Sequence, residues 1–244
     1  MSVYTIEHEV AYYECDINQT MTFPAMIGTA IKASEEQSDQ LGRGTDFVHQ
    51  FGLTWVITNY LMKITRLPQV GEKISISTQA VAYNKYFCYR NFWFRDAKGN
   101  ELLSVETVFV LMDMTNRKMS SVPEEIIAPY ESEKIKQIKR YPKIDKVESG
   151  QHLQYRVRFY DIDSNQHVNN AMYFNWMIDV LGYDFLTDHV PETVNVRFDK
   201  EVEYGNMIES HYEIVEGEKG IESRHEIRMQ DQTYCQAAIT WRKK

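Results

Sequence analysis

Residues 160–167 read YDIDSNQH, and residues 13–20, near the start of the chain, read YECDINQT. The two stretches share an Asp-x-Asn-Gln core, at residues 163–166 and 16–19. The chain has 244 residues, so the second copy stands near its middle. Similarity of this kind within one sequence is typical of a duplicated structural unit. We therefore examined whether the same order of elements follows each copy.

Each copy of the motif is followed by the apolar spacing of an amphipathic helix. The first stripe consists of Phe23, Met26, Ile27, Ala30, Ile31 and Ser34. The second stripe consists of Met172, Trp176, Met177, Val180 and Leu181. We expect Asn169 or Asn170 to cap the second helix, because an Asn side chain accepts hydrogen bonds from the free N–H groups at a helix start.

Strand patterns surround both helices. In the first half they cover residues 52–65, 72–83, 86–95 and 102–113; in the second half they cover residues 194–202, 209–216, 221–230 and 233–242. Turns are predicted at residues 67–71, 96–100, 204–206 and 216–220, and one further strand precedes each helix. One strand, one long helix and about four antiparallel strands form the hotdog arrangement. The sequence thus predicts an α+β double hotdog, with two unrelated α+β domains as the alternative.

This pattern divides the chain into three regions. We predict an N-terminal hotdog repeat over residues 1–122, a linker over residues 123–150 and a C-terminal repeat over residues 151–244. The linker is polar, highly charged and contains three prolines, and a short helix is expected at residues 131–139.

Composition narrows the classes of protein. The formal net charge is -8, which argues against a general nucleic-acid binder because such proteins usually carry a basic footprint. The three cysteines form no CxxC pair and indicate free thiols in a reducing compartment. No signal-peptide pattern or long apolar run is present, so we expect a cytoplasmic protein without a membrane span. No metal or nucleotide motif stands out, and we expect no cofactor.

Candidate catalytic side chains lie in the second copy of the motif. Asp163, Asn165 and His167 are spaced i, i+2, i+4. On a straight strand the outer two would be ~13 Å apart, at ~3.3 Å per residue, but a bend near Asn165 would turn all three toward one pocket. An acid, an amide and an imidazole suit hydrolysis, which needs an activated water, a donor to the oxyanion and a proton for the leaving group.

The first copy provides an internal comparison. It keeps Asp16 and Asn18 but has Thr20 where His167 stands. Asp-x-Asn runs before helices are often only turn and cap residues, and their presence in both copies indicates that part of their role is structural. His167 is what distinguishes the second copy.

Glu201 is a further candidate, on a strand expected to run beside the second helix. Glu203 would share its face of that strand, and Asp199 would also be in register. Acidic residues on a strand are most often a solvated face, which is the alternative. We place the N-terminal counterpart of Glu201 near Lys63, which is not a carboxylate.

With these residues in hand, the chain resembles the acyl-acyl carrier protein thioesterases, in particular the bacterial relatives of the plant plastid enzymes. Residues 161–170, DIDSNQHVNN, are close to the family's D-x-D-x-N-x-H-V-N-N, and the similarity covers residues 4 to 241. The resemblance implies a double hotdog that hydrolyses a fatty acyl chain from the phosphopantetheine thiol of acyl carrier protein. It also implies that Asp163, Asn165, His167 and Glu201 occupy catalytic positions. Plant members often have cysteine directly after that glutamate, where this chain has Val202, so a thiol mechanism is not implied.

Partners follow from the same resemblance. Acyl carrier protein is the expected partner, and the basic residues of the linker are a docking candidate, with a solvated linker as the alternative: Lys134, Lys136, Lys139, Arg140 and Lys143. Met21 and Met26 are expected to help line the acyl pocket, ordinary core packing being the alternative. An acyl-CoA thioesterase, a 3-hydroxyacyl carrier dehydratase and a non-catalytic acyl-binding module stay open as other functions. We expect a monomer or a homodimer.

Overall fold

The structure is a computed structural model that describes residues 2–217 and 220–244 of the chain. The first half contains β1 (Tyr4–Glu9), α1 (Phe23–Gln40), α2 (Thr45–His49), β2 (Leu53–Ile64), β3 (Lys73–Tyr83), β4 (Phe87–Asp96) and β5 (Glu101–Asp113). The region between the halves contains β6 (Met119–Ser120), α3 (Glu124–Ile127) and β7 (Glu133–Lys134). The second half contains β8 (Gln151–Arg156), α4 (Met172–Asp179), α5 (Tyr183–Asp188), β9 (His189–Phe198), β10 (Met207–Gly217), β11 (Gly220–Met229) and β12 (Gln232–Lys243).

All described strands belong to one sheet, ordered β1-β3-β4-β5-β2-β9-β12-β11-β10-β8. The two-residue strands β6 and β7 extend it beside β5 and β3. The two halves meet where β2 pairs antiparallel with β9, with Leu61 opposite Asn195 at the centre of the paired stretch. The core cluster contains residues of both helices and both sets of strands. The predicted double hotdog is therefore confirmed, while the residue boundaries of the two repeats and the linker stay predictions.

The duplication extends to individual hydrogen bonds. We call residues 15–21 hairpin 1 and residues 162–168 hairpin 2, because an isolated antiparallel bridge closes each of them. Asp16 donates its N–H to the Thr20 carbonyl at 2.9 Å, and Asp163 donates to the His167 carbonyl at 2.9 Å. The fourth residue of the core, Gln19 or Gln166, has positive φ in both, 61° in hairpin 1 and 67° in hairpin 2. The shared Asp-x-Asn-Gln core thus encodes one tight turn, built twice.

The second helical region is shorter than the first. Residues before the helices correspond at a spacing of 147, as from Asp16 to Asp163. Behind the helices the spacing is 134, because the N–H of Met21 bonds the Pro68 carbonyl and the N–H of Val168 bonds the Val202 carbonyl. The second half therefore has 13 fewer residues between hairpin and sheet.

The prediction of a long second helix is consequently wrong. α1 has 18 residues, whereas α4 has eight and ends before Val180 and Leu181, although both of these side chains are buried. Gly182 then adopts φ 83°, where glycine is favoured, and is the N-cap residue of the separate helix α5. A glycine at this place is a common helix terminator.

The two helices begin with different capping arrangements. The Thr22 hydroxyl accepts a hydrogen bond from the Ala25 N–H at 3.4 Å, and Pro24 stands in the first turn of α1. At α4 the N-cap residue is Ala171 and no side chain caps it, so the predicted cap at Asn169 or Asn170 is wrong; the Asn169 side chain accepts from the Ala171 N–H at 2.9 Å in the turn before the helix. Asn170 instead reaches across to the first half and donates to the Ile57 carbonyl at 3.1 Å.

Most predicted strands are present, but the end of β9 and the structure of residues 131–139 differ from the expectations. β9 ends at Phe198 and does not continue to residue 202, because the N–H groups of Asp199 and Lys200 both point to the Tyr234 carbonyl and close the ladder. Residues 131–139 form no helix, since the Ile135 N–H bonds the Tyr83 carbonyl at the edge of β3. The predicted turn at residues 216–220 includes residues 218 and 219, which lie outside the described residues.

Aromatic packing joins the halves beneath the sheet. The Phe174 ring of α4 is fully buried and stacks on Phe23 of α1 at a centroid distance of 5.2 Å. It also lies 6.3 Å from the ring of Tyr60 on β2. Among the described residues, none of the helices combines the length and the apolar character needed to cross a bilayer.

We expect Phe174→Ala to lower the free energy of unfolding by about 3–5 kcal/mol, since the ring is removed from a packed core. Because Phe174 contacts both helical layers, fluorescence and far-UV circular dichroism should report one common transition in a urea titration. Phe159→Ala is the matched control, because that ring is 74% exposed, and its effect should stay within about 0.5 kcal/mol. A loss of stability in Phe174→Ala no larger than that in Phe159→Ala would contradict the role of this ring as a link between the halves.

Candidate active site

Hairpin 2 turns the three motif side chains toward one cleft. The predicted bend is present, because Gln166 has φ 67° and the Gln166 N–H bonds the Asp163 carbonyl at 3.0 Å. Asp163, Asn165 and His167 all line a cleft of about 1100 Å³, which we call the His167 cleft. Glu201 lines it as well, so the structure brings all four predicted residues together.

Glu201 enters the cleft from the loop that follows β9, not from a strand. The expectation that Glu203 shares a strand face with it is therefore wrong. Glu201 Oε2 lies 3.3 Å from His167 Nε2, and Glu201 Oε1 forms an ion pair with Arg117. Arg117 follows β5 and has φ 52°. Residues from both halves thus hold the Glu201 carboxylate beside the imidazole.

The other ring nitrogen of His167 has no hydrogen-bond partner among the described residues. Nδ1 is buried and accepts no hydrogen bond from, and donates none to, the residues that the structure describes. A buried polar atom without a partner costs free energy unless a ligand or water satisfies it. With a carboxylate beside Nε2, the neutral ring is expected to hold its proton there and to leave the Nδ1 lone pair free.

Asp163 is held partly out of water. Burial raises the pKa of its carboxyl group above the ordinary aspartate value, while the Asn165 N–H, which bonds Oδ1 at 2.8 Å, and the charge of His167 oppose the rise. The negative charge of Glu201 adds to it. Asp163, His167 and Glu201 are therefore one electrostatic group, in which each charge affects the others.

The Asn165 amide is oriented by the first half of the protein. Thr54, a buried residue of β2, donates its hydroxyl to Asn165 Oδ1 at 3.2 Å. The amide nitrogen is then directed away from Thr54, and it can donate to a group in the cleft. The sequence did not predict a role for Thr54 or Arg117, because each is distant in sequence from the residue that it contacts and neither belongs to a motif.

Hairpin 1 lacks the reactive groups. The Thr20 hydroxyl bonds its own turn, donating to Asp16 Oδ1 at 3.1 Å. The register set by Pro68 and Val202 makes Leu67 the counterpart of Glu201, so the predicted counterpart near Lys63 is wrong. The first half therefore has the hydroxyl of Thr20 and the alkyl group of Leu67 in place of an imidazole and a carboxylate.

The His167 cleft continues along α1 into the first half. The helix presents one face to it, and strands β2 to β5 with α3 supply other walls. The apolar and aromatic lining includes Ile27, Ile31, Trp55, Ile57, Tyr60, Ala80, Cys88, Phe109, Ile127 and Tyr130. The two predicted methionines are not among these residues: Met26 belongs to the core, and Met21 lines a different cleft.

Comparison with known proteins agrees with this geometry. The sequence profile of the acyl-ACP thioesterase N-terminal domain matches residues 1–130, and that of the acyl-ACP thioesterase C-terminal domain matches residues 144–243. A crystal structure of a protein described as an oleoyl thioesterase, from Lactobacillus plantarum, is 40% identical and superposes with a TM-score of 0.95, covering 99% of this chain and 96% of that one.

More distant similarities reach the plant proteins. The 12:0-ACP thioesterase from Umbellularia californica has the same fold, with a TM-score of 0.88, 20% identity and coverage of 99% of this chain and 98% of that one. The chloroplastic oleoyl-acyl carrier protein thioesterase of Coriandrum sativum is 22% identical over 220 residues. That match includes 82% of this chain but 60% of the plant protein, so the chain spans well under the full length of this curated relative.

The electrostatic coupling predicts how the pKa of Asp163 responds to its neighbours. Glu201→Gln removes a like charge and should lower the pKa of Asp163, whereas His167→Ala removes an opposing charge and should raise it. Carbon-13 NMR of the labelled carboxyl groups measures both changes. Asp96, whose pKa is held low by the Asn100 side chain, is the control and should titrate identically in all three proteins. An unchanged Asp163 in both variants would contradict the coupling.

Proposed function

The chain belongs to the acyl-ACP thioesterase family, and from this premise we propose that it hydrolyses fatty acyl-acyl carrier protein to free fatty acid and carrier protein. The observation that carries the proposal is the position of His167, beside Glu201 and at one end of a cleft with apolar walls. Such a cleft suits an alkyl chain, and the polar groups of hairpin 2 suit a thioester at its end. This reaction would end the elongation of the acyl chain.

We propose that His167 activates the attacking water through Nδ1, the nitrogen without a protein partner. The water oxygen attacks the thioester carbonyl carbon, and its proton passes to Nδ1. Glu201, fixed by Arg117, keeps the ring oriented, and the charges of Glu201 and Asp163 stabilise the imidazolium that forms. When the carbon–sulfur bond breaks, the imidazolium returns the proton to the phosphopantetheine sulfur.

Asn165 is the proposed donor to the carbonyl oxygen. Charge develops on this oxygen as water adds, and a preoriented donor at that point stabilises the transition state. The hydrogen bond from Thr54 fixes the amide with Oδ1 turned toward β2, which supports this assignment of Nδ2. Val202, the residue after Glu201, is fully buried and belongs to the core, so the chain has no thiol at that position.

A second candidate for the base is Asp163 itself. Its pKa is raised by burial, which brings its basicity closer to that needed at neutral pH. In this variant the carboxylate takes the proton from water directly, and His167 donates to the leaving sulfur. Direct attack by a carboxylate to form an anhydride is a further variant of the same arrangement.

The acyl chain would extend along α1, away from hairpin 2. The polar side chain of Arg90 is buried in this part of the lining, where it donates to Gln37 at 2.6 Å and to Thr78 at 3.0 Å. Burial lowers the pKa of Arg90 to about 10. A buried guanidinium disfavours contact with a methyl terminus, so we propose that Arg90 helps to limit the length of the bound chain.

The carrier protein would approach from outside this cleft. The basic residues of the predicted linker are exposed, which supports their proposed role in docking an acidic carrier: Lys134, Lys136, Lys139, Arg140 and Lys143. Two of them also stack over tyrosine rings, Lys134 over Tyr83 and Lys139 over Tyr89. The cytoplasmic location and the monomeric or homodimeric state stay predictions.

Substitution of three of the four site residues tests the mechanism. His167→Ala should lower kcat for acyl-carrier substrate by about 10²–10⁴-fold, the usual contribution of a general base. Glu201→Gln and Asp163→Asn should each lower kcat while the thermal unfolding temperature is retained. Asp16→Asn in hairpin 1 is the matched control and should turn over like the unaltered protein. If the hairpin 2 variants retain full activity, the site assignment is wrong.

Thr54 provides a test of the proposed carbonyl donor. Thr54→Val removes the hydroxyl that orients Asn165, and kcat should fall roughly two- to tenfold, the equivalent of one neutral hydrogen bond. Thr54→Ser restores the hydroxyl and should recover most of this loss. Thr107→Val is the control, because the Thr107 hydroxyl is equally buried but has no hydrogen-bond partner in the described structure. Equal activity of the valine and serine variants at position 54 would exclude the role.

The choice of carrier is tested by comparing acyl-carrier protein with acyl-CoA of the same chain. We expect a higher kcat/KM for the carrier-protein substrate and a loss of this preference when Lys136 and Arg140 are both replaced by glutamate. CoA lacks the acidic protein surface, so its turnover should change little in that variant. A preference for acyl-CoA in the unaltered protein would identify an acyl-CoA thioesterase instead.

A further inference from the structure

A second cleft, of about 1060 Å³, is built around hairpin 1. We call it the Thr20 cleft. Its walls come from hairpin 1, the segment after β2, strand β8, helix α4, the start of β9 and the C-terminal residues of the second half. In each cleft a hairpin of one half faces a helix and strand of the other half. The Thr20 cleft is therefore the counterpart of the His167 cleft in the duplicated fold.

The Thr20 cleft lacks counterparts of His167 and Glu201, although Asp16 and Asn18 correspond to Asp163 and Asn165. Thr20 and Leu67 stand in place of the imidazole and the carboxylate. The amide of Asn18, the counterpart of Asn165, is already engaged: it donates to the Leu186 carbonyl at 3.3 Å and accepts from Lys244 Nζ at 2.6 Å. A ligand held here therefore meets no imidazole at the position of Thr20 and no free amide donor at Asn18.

The charge of the Thr20 cleft is opposite to that of the whole chain. Its lining has five cationic side chains and two acidic ones, which are Arg66, Arg156, Arg158, Arg242, Lys244, Asp16 and Asp179. The His167 cleft has five cationic and six acidic side chains, and the chain as a whole has a net charge of -8. A concentration of positive charge in a concave site favours an anion.

Two of these cations are not neutralised by a carboxylate. Arg66 and Arg158 are held by Glu72 and Asp161. Arg156 instead stacks on the ring of Tyr204, and Lys244 contacts the Asn18 amide; within the described chain neither forms an ion pair. Both side chains are exposed, so an anionic group can reach them.

The uncharged part of the lining is mixed and includes an apolar surface. Leu67, Ile178 and Leu186 are partly exposed, and the rings of Phe23, Trp176 and Trp241 lie beneath them. A site that combines an apolar floor with unpaired cations matches an amphiphile with an anionic head and an alkyl tail. A nucleotide or a sugar phosphate would leave the apolar part unused.

We propose that the Thr20 cleft binds a fatty carboxylate and holds it without turnover. The carboxylate would lie near Arg156 and Lys244, and the alkyl chain would contact Leu67 and Leu186. The product of the proposed reaction has this chemistry, but binding in the Thr20 cleft does not depend on hydrolysis in the His167 cleft. The two clefts would therefore recognise the same alkyl chain in different chemical states.

The positions of the four tryptophans allow binding in one cleft to be distinguished from binding in the other. Trp176 and Trp241 line the Thr20 cleft, Trp55 lines the His167 cleft, and Trp93 lines neither. The full chain is labelled with 5-fluorotryptophan, and each fluorine resonance is assigned by a Trp→Phe substitution. Titration with octanoate should shift the Trp176 and Trp241 resonances saturably and leave Trp93 in place. Arg156→Gln combined with Lys244→Gln should raise the midpoint of these shifts about tenfold, with the Trp55 response unchanged.

Octanol and unacylated CoA are the comparison ligands. Octanol has the same alkyl chain without the charge, so it should need a higher concentration to move Trp176 and Trp241. Equal midpoints for octanol and octanoate would overturn the proposal. It would also be overturned if octanoate shifted only the Trp55 resonance, or if CoA but not octanoate shifted the resonances of the Thr20 cleft. Turnover of acyl-carrier substrate is measured separately, and its absence would refute the proposed function without affecting the fluorine result.

Discussion

The antiparallel pairing of β2 with β9 is the constraint on which the other features depend. Leu61 and Asn195 are opposite each other at the centre of this pairing. The register of the pairing determines how the two halves are placed relative to each other. It brings Thr54 of the first half to the Asn165 amide and Asn170 of the second half to the Ile57 carbonyl. Backbone hydrogen bonds determine this register residue by residue, so a shift by one position would separate these pairs.

The difference between the two halves comes from the connection between hairpin and sheet. The first half has 13 more residues there, and the long α1 that they allow forms one wall of the His167 cleft. The short α4 offers no comparable length to the Thr20 cleft. The same turn, used twice, is therefore followed by two helices of different length, and His167 belongs to the hairpin that faces the longer helix.

Much of the fold was predictable from the sequence because its signals are local. The repeated Asp-x-Asn-Gln core, the helical stripe of α1 and the alternating strands each depend on neighbouring residues. The early end of α4 could have been found from Gly182, which follows the last apolar residues of the pattern. The end of β9 could not, because it depends on a carbonyl of β12, Tyr234, that lies far along the chain.

The candidate site likewise contains residues that local sequence predicts and residues that only long-range contacts reveal. The three hairpin residues are close in sequence, and Glu201 was proposed through a strand that proved to be a loop. Arg117 and Thr54 act through contacts between residues that lie 84 and 111 positions apart in the sequence. Their residue types are common on surfaces and strands, so only the pairing of the halves reveals what they touch.

The union of both halves in one polypeptide also has a consequence for evolution. In two identical subunits each substitution appears twice, so a change that improves one cleft necessarily alters its copy. A connector that joins the halves keeps their local concentration high and independent of expression level. It also frees each half to accumulate its own mutations, as Thr20 and His167 at equivalent positions illustrate. Covalent linkage thus allows two halves with the same fold to differ in the residues that line their clefts.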